Sequence, residues 1–111
     1  MDERPLTPRE AYERMMNGEM ETGQRGSALF ARHLLRSQAG KLAAEKCTES
    51  MSFTPDGTNP WTASITFTRG ELSDSAQKIL GAMHSNAHRT EMTEGADRIR
   101  ISFYVYEWEE E

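Results

Sequence analysis

His84 and His88 stand four residues apart, a spacing that puts two imidazoles on one face of a helix, where they could share a metal ion. No cysteine or carboxylate falls at a spacing that completes such a ligand set, and Asn86 between them is a place for a helix to end. The expectation is two ordinary surface histidines and no metal. Cys47 has no motif around it, and a Cys–His nucleophile pair needs a proximity that no spacing here supplies. It reads as a half-buried structural residue. Ser27 follows Gly26 and precedes an apolar run, which makes it a helix cap rather than a nucleophile. Glu10 has a capping role of its own. Carboxylates cluster only in the closing EWEEE, where water solvates them. These residues predict no enzyme and no cofactor.

Gly23-Gln24-Arg25-Gly26 opens a helix that carries Arg32, Arg36 and Lys41. Two glycines in this spacing let backbone N–H groups at a helix N-terminus approach a phosphate. Residues 25–46 hold five basic residues against Glu45 alone, a local charge of +4 that leaves −9 for the rest. A nucleic-acid site on this stretch would use Gly23, Arg25, Gly26, Arg32 and Arg36. The GQRG loop resembles that of KH-type RNA-binding modules, and the order helix, loop, helix, strand, strand, helix from Pro8 to Ser85 follows part of theirs. RNA binding is what the resemblance implies. The chain departs from that pattern in three respects. Asn17-Gly18 ends the first helix before the loop, no strand precedes that helix, and the last two strands are foreign to the module.

The stretch DRIRISFYVYEW reads as a strand with two rows of large residues. Ile99, Ile101, Phe103 and Val105 face one way, and Arg98, Arg100, Ser102, Tyr104, Tyr106 and Trp108 face the other. The aliphatic row is core. Arg98, Arg100, Tyr104, Tyr106 and Trp108 are the candidate partner surface, because aromatics and arginine are enriched where interfaces concentrate their binding energy. A covering first helix, with Met15 and Met16, and plain half-exposed strand formers are the competing readings of the same row.

Other parts of the chain must position these residues. Thr7-Pro8-Arg9-Glu10 is a capping box with proline at the first helical position, and Asn17-Gly18 stops the helix it starts. Ser27 starts a second helix to about Lys46, with Ala28, Ala31, Leu34, Leu35 and Leu42 as its stripe and Ala39-Gly40 as a place where it could break. Met51 and Phe53 alternate with polar neighbours. After the turn-rich PDGTNP, so do Trp61, Ala63, Ile65 and Phe67. Ser73 or Asp74 caps a third helix through Ala76, Ile79, Leu80 and Met83. A weak strand from His88 to Thr93 precedes the final strong one. The order α-α-β-β-α-β-β predicts a two-layer α+β domain over residues 1–108, with a mostly antiparallel sheet of about four strands packed on helices. Residues 109–111 form an acidic tail.

A chain of 111 residues with 36% hydrophobic content fits one domain with a modest core. One cysteine excludes an internal disulfide. The start, MDERPLTPRE, has no apolar run and no apolar stretch is long enough to span a bilayer, so a cytoplasmic protein without membrane contact is expected. A net charge of −5 opposes non-specific binding to nucleic acid. The reading is a small non-enzymatic protein-binding or regulatory module. Its profile is similar to that of many phage and mobile-element inhibitors of host machinery. The partner would be a protein, for instance a basic nucleic-acid-binding one, or a second copy across the outer sheet face. Nucleic-acid binding is the alternative, through the GQRG loop, the basic second helix and Arg98 and Arg100 beside Tyr104, Tyr106 and Trp108 as a stacking row.

Overall fold

The first helix, α1 (Pro8–Met16), starts where its capping box places it. The Glu10 amide donates to Thr7 Oγ1 at 3.2 Å, and the Thr7 amide donates to Glu10 Oε1 at 2.9 Å. Two amides that no helical carbonyl can reach are thereby satisfied. A computed structural model of the chain describes residues 6–22, 24, 26–70 and 72–107. Helix α2 (Ala28–Ala44) is capped by Ser27 and α3 (Asp74–Asn86) by Ser73, each hydroxyl accepting from the amide three residues on. No break occurs at Gly40, which lies on the exposed side of α2. The helix ends two residues earlier than its apolar pattern implied, as Lys46 turns into the left-handed region at φ 58°.

Strands β1 (Thr48–Phe53), β2 (Trp61–Thr68), β3 (Arg89–Glu94) and β4 (Arg98–Val105) form one antiparallel sheet in the order β1-β2-β4-β3. The fold is α+β, with the element order α-α-β-β-α-β-β. In the central pair, Trp61 lies opposite Val105, Ala63 opposite Phe103, Ile65 opposite Ile101 and Phe67 opposite Ile99. All eight are buried, in one core with Ala31, Leu35, Ala39 and Leu42 of α2 and Ala76, Leu80 and Met83 of α3. Strict alternation on both partners puts every apolar group of this pair on the side the helices cover.

Helix α1 packs on α3, not across the outer face of the sheet. Gly81 makes this possible: a Cβ there would overlap the carbonyl oxygen of Pro8 and stand 2.8 Å from the Tyr12 nitrogen. Met15 and Ala11 are buried on that side, and Met16 packs against the core, so the covering-helix reading of the outer face is corrected. Among the described residues, no helix is long and apolar enough to cross a membrane. Gly23, Arg25, Trp108 and the tail Glu109 to Glu111 lie outside the described residues.

Candidate functional site

The outward row of the sheet runs across all four strands. Thr62 lies opposite Tyr104, Ser64 opposite Ser102, Thr66 opposite Arg100 and Thr68 opposite Arg98. Ser50 and Ser52 extend the row on β1, while Arg89, Glu91 and Thr93 extend it on β3. Among the described residues the helices pack on the buried inward row, and the outward row is half-exposed or exposed. The result is a hydroxyl-rich surface with charges towards both edges.

Several of its side chains are tied to one another. Ser64 and Ser102 share a hydroxyl hydrogen bond of 3.1 Å. The Tyr104 hydroxyl donates to Glu91 Oε1 at 2.6 Å, and this bond to a carboxylate raises the phenol's pKa above its ordinary value. Arg98 Nε donates to Glu49 Oε1 at 2.8 Å while Thr68 donates to the other oxygen at 2.5 Å. The Thr68 bond first, and the Arg98 bond after it, hold the Glu49 carboxyl below the usual range. Glu49 reaches this face because the β1–β2 register shifts between Thr48 and Ser50. Regular alternation gives no hint of that, so the sequence reading missed Glu49. Glu91 was legible in principle, two residues from Arg89 and from Thr93 on a strand of weak apolar pattern.

Of the candidate surface residues, Arg98, Arg100 and Tyr104 share the outer face, and Arg98 and Arg100 are exposed. Tyr106 departs from the predicted row. β4 ends at Val105, and the Tyr106 amide donates to His88 Nδ1 at 2.9 Å instead of to a strand. Its ring stacks on Tyr104 at 6.5 Å and on His88 at 6.4 Å. An imidazole nitrogen has replaced the next rung of the sheet.

The nucleic-acid candidates are placed differently. The Gly26 amide donates to Gln24 Oε1 at 3.0 Å, and the Gly26 carbonyl is 3.0 Å from His88 Nε2. Arg32 pairs with Glu107 at 3.0 Å and is mostly buried along its side chain. Arg36 pairs with Asp56 and lies 5.2 Å over the Trp61 ring. The two arginines thus tie α2 to the β1–β2 loop and to the segment after β4. Leu29 and Phe30, at the start of the same helix, are 71% and 62% exposed.

Both histidines of the spaced pair are buried, which corrects their reading as surface residues. They do not converge: His84 Nδ1 lies 2.7 Å from Thr90 Oγ1, whereas His88 bridges Gly26 and Tyr106. No group of three or more His, Cys, Asp or Glu among the described residues could hold a metal ion. Burial lowers the His84 pKa, an effect that the Glu19 charge opposes. Cys47 is half-buried as expected, and burial pushes its thiol pKa up, which disfavours the reactive thiolate. Compared with known protein families, curated proteins and solved structures, the chain matches none.

Proposed function

We propose that this chain is a non-enzymatic module that engages a protein partner through the outer face of its sheet. The observation that carries the reading is a four-stranded face, open among the described residues, on which Ser64 and Ser102, Tyr104 and Glu91, and Arg98, Thr68 and Glu49 are already fixed by bonds to one another. A surface ordered before contact loses little side-chain freedom on binding, which favours affinity. Its many hydroxyls suit a wet, hydrogen-bonded protein interface.

The face is nearly balanced in charge, with Arg89, Arg98 and Arg100 against Glu49 and Glu91. That balance speaks for a protein rather than a phosphate backbone, which rewards free cations. The ion pairs of Arg32 and Arg36 speak the same way. A net charge of −5 would steer the module towards a basic protein, such as one that itself binds nucleic acid. Inhibition of host machinery in the manner of a phage or mobile-element protein is the biological setting that this small acidic profile fits.

Affinity capture from lysate with nuclease treatment tests the reading, using wild type, Arg100→Glu and Lys41→Glu. Capture of a protein that survives nuclease, is lost in Arg100→Glu and persists in Lys41→Glu supports it. Loss on nuclease treatment, or retention in Arg100→Glu, overturns it. A gel shift with single-stranded RNA or DNA at moderate salt would favour the nucleic-acid alternative.

A further inference from the structure

His84 and His88 are each 5% exposed, yet they are used differently. His88 has both ring nitrogens engaged, Nδ1 by the Tyr106 amide and Nε2 by the Gly26 carbonyl. This is how a buried histidine is usually satisfied. His84 has only Nδ1 engaged, by Thr90 Oγ1, and Nε2 has no partner among the described residues. Nor is Nε2 sealed inside as an orphaned polar atom. His84 lines a cleft of about 240 Å³ between the C-terminal end of α1 and that of α3.

Thr90 sets the direction of the hydrogen bond. It is fully buried, and His84 is the one partner its hydroxyl has among the described residues. A buried hydroxyl proton without an acceptor is costly, so Thr90 donates to Nδ1. The single proton of the neutral ring then sits on Nε2, the ring nitrogen that Thr90 leaves unpaired on a residue lining the cleft. Arg14 and Ser85 line the same cleft, and the Ser85 hydroxyl has no partner among the described residues. Glu19 and Glu21, on the chain that follows α1, line the same cleft, and Glu21 Oε1 already accepts from Arg89 Nη1 at 2.5 Å. The Arg14–Glu19 contact is loose, at 3.8 Å with both side chains more than half exposed, and a ligand can part it at little cost.

We propose that this cleft binds a free amino acid, a small zwitterion with its carboxylate on His84 Nε2, Ser85 and Arg14 and its ammonium on Glu19. Both signs of charge are present without a metal-binding cluster, and the volume holds a molecule of that size. The cleft meets the outer sheet face only where Glu21 at its rim pairs with Arg89, and none of the ligand contacts proposed here uses that pair.

The test is a titration of the full chain with glycine, L-alanine and L-leucine, followed by ¹⁵N NMR of the His84 ring and the Ser85 amide. Acetate and methylamine serve as half-ligands. A saturable shift at both sites, with each half-ligand at least about tenfold weaker, supports the proposal. Arg14→Ala and Glu19→Ala, both at exposed positions that leave the core intact, should each weaken binding about tenfold or more. His84→Gln should weaken it too, and an unchanged amide spectrum outside the cleft shows that this variant folds. Absence of a saturable shift with all three amino acids overturns the proposal. Equal binding by acetate or methylamine alone does so as well, as does binding unaffected in both rim variants.

Discussion

His84 makes acid sensitivity a property of one residue. Burial disfavours its charged form, so its folded pKa lies below the ordinary value of about 6.5 that the unfolded chain restores. Between those two values the unfolded chain binds more protons, and stability therefore falls as pH drops below about 6.5. Urea unfolding of wild type and His84→Gln between pH 7.5 and pH 5.5 should show a decline in the first that is flatter in the second. Parallel curves would mean that His84 is not the responsible group. A sequence cannot announce such a residue. The spacing of His84 and His88 was visible, but their burial depends on Thr90, Gly26 and Tyr106, which arrive from three other places in the chain. Cys47 was legible because half-burial is the ordinary state of a lone cysteine without a motif.

Elements were legible to the extent that their signals are local. The capping box at Thr7 and Glu10, the serine caps and the alternation of β2 and β4 all follow from neighbours within a few residues. Thr7→Ala should destabilise the fold by about 1 kcal/mol. Glu10→Ala should cost less, and the pair should be non-additive in a double-mutant cycle read by urea unfolding. Full additivity would mean that the two side chains act separately. Gly81 is the opposite case. Inside LGAM it reads as a weak spot in a helix, and only the tertiary structure reveals that it admits the α1 backbone against α3. Alanine is the better helix former by about 1 kcal/mol, but its methyl group would meet backbone that cannot rotate away. Gly81→Ala should therefore cost more than about 2 kcal/mol, measured by urea unfolding. A neutral or stabilised variant would show that α1 is not held as tightly as this contact requires.

At the scale of the whole molecule, the sheet has one side under helices and one side open among the described residues, and adjacent residues of β4 report on the two. Phe103 lies in the core beneath α2 and α3, whereas Tyr104, its neighbour in the chain, lies on the outer face with its hydroxyl on Glu91. Phe103→Ala should cost about 3–5 kcal/mol, as large aromatic deletions in cores do. Tyr104→Ala should cost no more than about 1 kcal/mol, because it removes a half-exposed ring and a surface hydrogen bond. The candidate row was legible in its parity but not in its extent, since nothing in FYVYEW reveals that His88 takes the amide at which the strand stops. For that reason Tyr104 tests the face better than Tyr106, whose loss would also disturb the packing on His88. Both variants should be unfolded in urea at two protein concentrations. If a second copy occupies the open face, wild-type stability rises with concentration and Tyr104→Ala abolishes that rise. If the face serves a different protein, wild-type stability is independent of concentration and Tyr104→Ala impairs capture alone. A loss for Tyr104→Ala as large as that for Phe103→Ala, at either concentration, would mean that the outer face is a second core and not a docking surface.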